Sequence, residues 1–184
     1  MAVILIFMFL YPSRFSPAGE REILEDVLFR CNSLERVGEI MDIIEGYHLE
    51  YTIPVHPPLF QAYRISSPYG WRTDPLTKKK KFHSGTDLAA ELASTVYATA
   101  DGKVIHVGRK GGYGNCVMIR HSYGFVTLYG HLSACYVQEG EEIRAGKVIG
   151  FVGSTGKSTG NHLHYEVRKN NRPIKPYIRK RGIL

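Results

Sequence analysis

The sequence contains few cysteines, and their arrangement excludes two common classes of small protein. Three cysteines, Cys31, Cys116 and Cys135, occur in 184 residues, and no Cys-x-x-Cys pair is present. They form neither a zinc knuckle nor a disulfide framework, because both need paired cysteines at regular spacings. A single disulfide between two of the three stays open at this point.

The apolar run at the N-terminus lacks the length needed to cross a membrane. The segment MAVILIFMFLY has eleven residues, whereas a helix that spans a bilayer needs about 20. Its length suits the core of a signal peptide, and Ser16-Pro17-Ala18 resembles a cleavage site, although no Lys or Arg precedes the run. Residues 1–18 are therefore expected to direct export; a membrane anchor and a buried strand are the alternatives.

Negative charge is scarce in most of the chain. Residues 1–60 contain 4 Lys/Arg and 9 Asp/Glu, a net charge of −5, whereas the remaining residues have a net charge of +12. A strongly basic region attracts nucleic acid, anionic membranes or other anionic polymers. No nucleic-acid recognition motif is present, so nucleic acid is not an expected partner. The change of charge near residue 60 predicts two regions, 19–60 and 61–184.

The acidic region is expected to be helical. Between residues 20 and 47 the apolar residues recur at helical spacing, and Asn32-Ser33 and Gly38 favour two helices over one. Gly46 is a predicted stop, and the prolines of YTIPVHPPLFQ predict an extended linker. We expect this segment to dock against the basic region and to limit access to a groove there; dimerisation and spacing from a membrane are the alternatives.

The basic region is predicted to be a β domain. Short runs rich in β-branched and aromatic residues alternate with glycine-containing turns. Many short strands at this spacing predict a mostly β fold with antiparallel sheets, preceded by the helical segment. Residues 61–184 are expected to fold on their own and to contain the active site. The runs are TVYATA, KVIHVG, NCVMIRH, FVTLYGHL, KVIGFVG and HLHYEV.

The run HLHYEV places His162 and His164 two residues apart. Side chains at positions i and i+2 of a strand point to the same face, so the two imidazoles lie side by side. A second cluster, KFHSGTDLA, contains His83 and Asp87, which a straight strand would hold about 13 Å apart. Two ligands of one zinc must lie within about 2 Å of the ion. The chain therefore has to bend between them, and Gly85 permits a bend.

LYGHLS adds His131 at the end of a further β run. Each signal is weak alone, because a single histidine in a strand is more often structural. Together, the five residues lie beside glycine-rich turns in one β region, and two imidazoles with one carboxylate are a recurrent catalytic zinc set. Two further histidines remain for proton transfer or oxyanion stabilisation, but the spacings do not say which histidine has which role.

On these motifs the chain resembles the lysostaphin-type zinc endopeptidases, also called LytM-type. The resemblance covers about residues 65–177. It runs from ISSPYGWRTDP through KFHSGTDLA, YATADGKVIHVG, GYGNCVMIRH and VTLYGHLS to GFVGSTGKSTGNHLHYEVR. It implies a duplicated-hybrid-like antiparallel β fold and hydrolysis of peptide bonds in bacterial peptidoglycan, in a cross-bridge or a stem peptide. The cell envelope is the implied location.

The resemblance also implies a role for each of the five residues. His83, Asp87 and His164 would bind one Zn²⁺, and His131 and His162 would be the catalytic pair. Some members of the family have lost ligands and act as regulators. All five positions are intact here, which favours an enzyme; the alternative is an inactive cell-wall-binding or amidase-activating module.

Two other patterns fail on inspection. GFVGSTGKST looks like a phosphate-binding loop, but the spacing from Gly150 to Gly156 is one residue too long and the run leads into a strand. The hairpins around DGKV and EGEEI are similar to biotin or lipoyl carriers but lack a carrier lysine motif. The remaining histidines are expected to be structural: His48, His56, His106 and His121.

Overall fold

A computed structural model of the chain describes residues 17–35, 41–74 and 77–178. Strands dominate these residues and helices are few, which confirms the predicted mostly β class. The expected export segment lies almost wholly outside them. No helix within the described ranges is both long and apolar enough to span a bilayer.

The described part of the N-terminal region contains two helices, as its pattern predicted. Helix α1 covers Pro17–Arg30, and helix α2 covers Met41–Gly46, ending at the predicted glycine stop. On the exposed side of α1, ion pairs at i,i+4 spacing join Arg21 to Glu25 and Arg30 to Asp26. Such exposed pairs stabilise a helix by about 0.3–0.5 kcal/mol each, so packing accounts for most of its stability.

The rest of the described chain consists of short strands joined by turns, loops and two short 3-10 helices, Gly111–Tyr113 and Ser122–Gly124. The strands are β1 Arg64–Ser67, β2 Gly70–Thr73, β3 Lys80–His83, β4 Thr86–Ala89, β5 Thr95–Tyr97, β6 Gly102–Arg109, β7 Asn115–Arg120, β8 Phe125–Leu132, β9 Ala134–Cys135, β10 Glu142–Ile143, β11 Val148–Phe151, β12 His162–Lys169 and β13 Arg172–Ile174. Asn170 and Asn171 both have positive φ, 49° and 64°, in the tight turn between β12 and β13. Asparagine is favoured at such positions.

The largest sheet has the order β1-β4-β12-β8-β7-β6-β10, and β13 pairs with β12. A second sheet has the order β5-β11-β9, and β2 and β3 form a separate hairpin. All the pairs are antiparallel, which confirms the predicted sheet type. Strand β12 lies between β4 and β8, and its register places His164 opposite both Asp87 and Gly130.

Buried side chains of the helical segment and of the sheet form one hydrophobic cluster. Leu24, Leu28 and Ile44 of the helices belong to the same cluster as Phe125 and Tyr165 of the strands. Burying a large apolar side chain contributes about 1.5–3 kcal/mol. The boundary near residue 60 and the independent folding of residues 61–184 stay predictions, and a truncated chain would expose part of this cluster.

Lys169 joins α1 to the end of β12. It is 2% exposed, and its Nζ donates to the carbonyl of Leu28 at 3.0 Å and to that of Tyr123. The ammonium also lies 4.3 Å from the centroid of the Phe125 ring. Burial lowers the pKa of Lys169. This lysine therefore satisfies a carbonyl in the last turn of α1 that no helical N–H can reach.

Replacing Lys169 by methionine is expected to destabilise the protein by about 1–3 kcal/mol. Methionine fills a similar volume but leaves two buried carbonyls without a donor. Urea unfolding followed by circular dichroism measures the change. Lys103→Met is the control, because Lys103 is exposed and pairs with Glu142 at 3.8 Å. Equal midpoints for the two variants would contradict the anchoring role of Lys169.

Candidate active site

The structure brings together all five residues singled out in the sequence. His83 ends β3, Asp87 lies on β4, His131 on β8, and His162 and His164 on β12. Asp87 Oδ1 is 2.8 Å from His164 Nδ1 and 3.7 Å from His162 Nε2. The imidazole rings of His131 and His162 have centroids 4.7 Å apart. The two histidines of the HLH run therefore share a face of β12 and address the same carboxylate.

Three of the five residues form a triangle of donor atoms suited to a metal ion. His83 Nε2 is 3.2 Å from both His164 Nδ1 and Asp87 Oδ1, and the third edge is 2.8 Å. Two donors on a tetrahedral zinc with bonds of about 2.0–2.1 Å lie about 3.3 Å apart. The triangle is close to that size, and its side chains are buried. His83, Asp87 and His164 can therefore hold a metal ion.

The orientation of His83 is fixed by the backbone beside it. Its Nδ1 donates to the carbonyl of Pro68 at 3.0 Å, and Ser67 Oγ lies 3.5 Å from the same nitrogen. With the proton on Nδ1, the lone pair is on Nε2, the atom that belongs to the triangle. A hydrogen bond from the second ring nitrogen is the usual way in which proteins orient a histidine ligand.

His164 is oriented instead by a buried carboxylate that the sequence analysis missed. Its Nε2 lies 3.0 Å from Glu166 Oε1, and Glu166 is 0% exposed. The same oxygen accepts hydrogen bonds from Ser84 Oγ and, at 2.9 Å, from Tyr113 OH. The other oxygen accepts from Arg168 Nε and Nη2 at 2.9 and 2.7 Å. Glu166 is thus fully paired.

These contacts explain the ionisation of the two carboxylates. Burial raises the pKa of Asp87 and of Glu166, but hydrogen bonds and charge interactions with their neighbours, chiefly His164, together outweigh burial, so both pKa values are lowered, that of Glu166 to about 2. Burial lowers the pKa of His164, yet the same hydrogen bonds raise it above its usual value. Two ionised carboxylates therefore flank one imidazole, an arrangement that attracts a cation. Glu166 continues the alternation of His162 and His164 along β12, the signal by which the sequence could have revealed it.

His131 has a strained backbone and a fixed side chain. Its φ is 62°, which is uncommon for a residue other than glycine. Its Nδ1 donates to the carbonyl of Thr155 at 2.7 Å. Burial lowers the pKa of His131 to about 4, so the ring is neutral near pH 7. Backbone strain of about 1–3 kcal/mol persists where the surroundings impose it, most often at functional sites.

His162 is tied to the same loop as His131. Its Nδ1 lies 2.8 Å from the carbonyl of Gly160, to which it donates, and 3.3 Å from Ser158 Oγ. Both histidines therefore use Nδ1 to hold a backbone carbonyl of the loop before β12, and both keep Nε2 available to accept a proton. Neither Thr155 nor Gly160 carried a signal in the sequence, because each acts through its backbone.

The site lies at the floor of a groove of about 540 Å³. The β2–β3 hairpin forms one wall, and residues 112–113 and 157–159 contribute to the lining. Lys157 Nζ lies 3.5 Å from Asp74 Oδ2 and links the loop to the hairpin. None of the residues described before Ser66 lines the groove. The expected control of access by the helical segment therefore has no contact to support it in the described part of the chain.

Position 85 needs glycine because a side chain would have no room there, not because the backbone bends. Its φ is not in the left-handed region. A Cβ at this position would lie 2.6 Å from the Tyr165 carbonyl oxygen, 2.9 Å from Glu166 Cγ and 2.9 Å from His164 Cε1. Gly85 was predicted to permit the bend between His83 and Asp87; in the structure its missing side chain makes room for the Tyr165 carbonyl and the His164–Glu166 pair.

Gly85→Ala is expected to destabilise the protein by about 1–3 kcal/mol, the usual effect of overpacking, and to weaken metal binding because His164 is displaced. Thermal unfolding and a zinc titration of the same sample measure the two effects. Gly160→Ala is the matched control, since a Cβ there meets nothing within 4 Å. A Gly85→Ala protein as stable and as competent in zinc binding as Gly160→Ala would contradict this interpretation.

One of the four histidines expected to be structural has contacts that fit such a role. His121, buried, bonds to the carbonyl of Asp101 and to Thr127 Oγ1, both at 2.7 Å. Burial lowers its pKa to about 4. Within the described ranges, the metal-holding cluster includes none of the four histidines expected to be structural. The three cysteines are free, so the single disulfide left open by the sequence is not formed.

Comparison with known proteins identifies the class that this fold and site define. The profile described as Peptidase family M23 matches residues 81–176, just over half of the chain. The chain therefore belongs to peptidase family M23, a family of metallopeptidases. This confirms the resemblance seen in the sequence and the expectation of a peptidase.

Three individual proteins show how far the similarity extends. DD-carboxypeptidase/endopeptidase Mpg of Neisseria meningitidis is 50% identical over 139 residues, 76% of this chain and 30% of the relative. A zinc-containing peptidase from Vibrio cholerae has a TM-score of 0.64 at 36% identity, covering 73% of this chain and 42% of that one. The catalytic domain of lysostaphin from Staphylococcus simulans has a TM-score of 0.57 at 30% identity, with 62% and 89% covered. The chain thus spans about 30% of the length of the curated relative.

Proposed function

We propose that this chain is a zinc-dependent endopeptidase that hydrolyses peptide bonds of bacterial peptidoglycan. The triangle of His83 Nε2, Asp87 Oδ1 and His164 Nδ1, with edges of 2.8–3.2 Å at the floor of a groove, carries the proposal. Membership of family M23 supports the peptidase activity. The names of relatives that act on peptidoglycan support the substrate.

One zinc ion per chain would be held by these three residues. The donor set suits zinc, because two imidazoles and a carboxylate leave a fourth position open for water or substrate. The ion would supply Lewis acidity toward the scissile carbonyl and would acidify the attacking water. Asp87 Oδ2 lies 3.6 Å from Arg72 Nη2, so the guanidinium partly neutralises this oxygen. The other oxygen, Oδ1, faces the two imidazoles.

We assign the proton transfers to His131 and His162. Each is held by its Nδ1–H on a loop carbonyl, so each presents Nε2 as a proton acceptor. One of them takes the proton of the attacking water on Nε2, and the imidazolium so formed stabilises the oxyanion and then protonates the leaving amine. The other orients the attacking water by accepting a hydrogen bond from it on Nε2.

We infer that the bond cleaved joins two D-residues of peptidoglycan peptides. Relatives with 50% and 39% identity are named for DD-endopeptidase activity. Arg72, Lys81 and Lys157 line the groove; Arg72 and Lys157 face the carboxylates of Asp87 and Asp74, so Lys81 is the cation best placed for a carboxylate of the peptide. Glycyl cross-bridges are the competing substrate, and the two are separated by offering each as a purified peptide.

We place the protein in the cell envelope, because its proposed substrate is there. The apolar residues 1–18 support export, by a cleaved signal or a retained anchor. Association with the membrane through this segment is part of the proposal.

The proposal is tested by digesting purified sacculi and cross-linked muropeptides with the full-length protein. Mass spectrometry should show cross-linked dimers converted to monomers by addition of one water, with one new amine and one new carboxyl group. An inactive wall-binding or amidase-activating module would fold and produce no such conversion. Cleavage of glycosidic bonds, or of the bond between sugar and peptide, would also contradict the proposal.

A further inference from the structure

The two nitrogens of His164 have separate partners. Nδ1 lies 2.8 Å from Asp87 Oδ1 and 3.2 Å from His83 Nε2, so it belongs to the metal triangle. Nε2 lies 3.0 Å from Glu166 Oε1, on the opposite edge of the ring. An imidazole that donates Nε2–H to a carboxylate keeps its lone pair on Nδ1, the atom that a cation needs.

We propose that Glu166 is a positioning residue that fixes the tautomer and the ring orientation of His164 and thereby strengthens zinc binding. This inference rests on the proposed zinc site. Glu166 does not belong to the triangle; it acts through His164. A carboxylate behind a histidine ligand fixes its tautomer, orients the ring and makes it a stronger donor.

The carboxylate is itself immobilised by three separate parts of the chain. Ser84 approaches from the turn between β3 and β4, and Tyr113 from the groove wall. Arg168, on the same strand as Glu166, binds the second oxygen through two nitrogens at 2.9 and 2.7 Å. A buried network in which every member is paired is rigid. Glu166 can therefore hold the His164 ring in one orientation.

Ser84 gives this network a direct link to the other two proposed ligands. Ser84 directly follows His83 and precedes Asp87 by three residues. Its hydrogen bond to Glu166 therefore connects the turn between these two ligands to strand β12. The adjacent Gly85 leaves the room in which this turn approaches His164 and Glu166. One carboxylate therefore contacts both segments that supply the triangle.

The test compares two substitutions of Glu166 with a matched control. Glu166→Gln keeps an acceptor for His164 but turns an amide group toward Arg168; Glu166→Leu removes every acceptor. Thr127→Val is the control, because Thr127 is a buried side chain bonded to Nε2 of a histidine outside the site, His121. Zinc affinity is measured by titrating each metal-free, full-length protein with zinc against a competing chelator, together with the melting temperature.

Loss of an outer partner of a metal ligand typically weakens metal binding about 10- to 100-fold. We expect about a 10-fold loss for Glu166→Gln and about a 100-fold loss for Glu166→Leu. Thr127→Val should lower the melting temperature and leave zinc affinity unchanged. At saturating zinc, Glu166→Gln should regain most of its hydrolytic activity, which a purely structural defect would not allow.

Two outcomes overturn the inference, and they differ. If wild-type protein takes up zinc and Glu166→Gln binds it with wild-type affinity, Glu166 has no positioning role, even where the variant is less stable. If the wild-type protein takes up no zinc at all, the proposed metal site is wrong and the role of Glu166 is wrong with it. Should Glu166→Leu fail to fold, Glu166→Gln alone decides.

Discussion

Replacing His164 by alanine is expected to remove both zinc binding and hydrolysis. The substitution deletes one corner of the donor triangle and leaves Asp87 and Glu166 without the imidazole that they share. Zinc affinity should fall by more than about 100-fold, because losing a ligand weakens binding more than losing a residue that only hydrogen-bonds to a ligand. Where zinc supports folding, the melting temperature should fall as well. Metal analysis by mass spectrometry and digestion of sacculi measure the two losses on one preparation.

His162→Ala is the control within the same strand. His162 Nε2 is 3.7 Å from Asp87 Oδ1, outside the triangle, so this variant should keep its zinc while losing activity. The opposite result, zinc lost from His162→Ala and kept by His164→Ala, would reverse the assignment within the HLH run.

His131→Ala is expected to lower turnover by about 10²- to 10⁴-fold, the usual range for loss of a general acid or base. Zinc content should stay near one ion per chain, because His131 contributes no atom to the triangle. The melting temperature should stay native-like or fall slightly: alanine keeps the strained backbone and loses one hydrogen bond to Thr155, but Thr155 Oγ1 still bonds to Asn115 N and to the carbonyl of Leu132. Steady-state kinetics on a purified muropeptide give the turnover number.

Two results would contradict this role for His131. A variant that retains full activity would show that proton transfer is performed elsewhere. A variant that loses its zinc would place His131 among the ligands, although its imidazole is tied to Thr155 rather than to the triangle. Chemical quantification of zinc in the same sample separates the two.

Much of the site could be predicted from the sequence because its residues obey local rules. The i,i+2 spacing of His162 and His164 fixes a shared strand face before any fold is known. For His83 and Asp87 the sequence indicated only that the chain must bend between them. Their approach depends on the chain passing from β3, in the hairpin, to β4, in the large sheet. The division of roles came from a family resemblance, and it stays a prediction.

The contributions that escaped the sequence are long-range or come from the backbone. Thr155 and Gly160 act through carbonyl oxygens that any residue possesses, so no side-chain pattern marks them. The helical segment was expected near the groove because its charge is opposite to that of the basic region and its amphipathic helix could supply the contact. In the structure, Lys169 binds α1 at the far end of β12, about 23 Å along the strand from His162. Hydrophobic packing and the hydrogen bond from Lys169 to a helix carbonyl fix the segment at that end.

In the proposed function, cleavage of peptidoglycan peptides by this chain requires a single zinc ion held by His83, Asp87 and His164. The most direct measurement removes metal from the full-length protein with a chelator and follows cleavage of cross-linked muropeptides as zinc is returned. We expect no cleavage without metal, a rise in proportion to added zinc, and a plateau at one equivalent per chain. Undiminished cleavage by the metal-free protein, or no peptide-bond cleavage after full reloading, would contradict it.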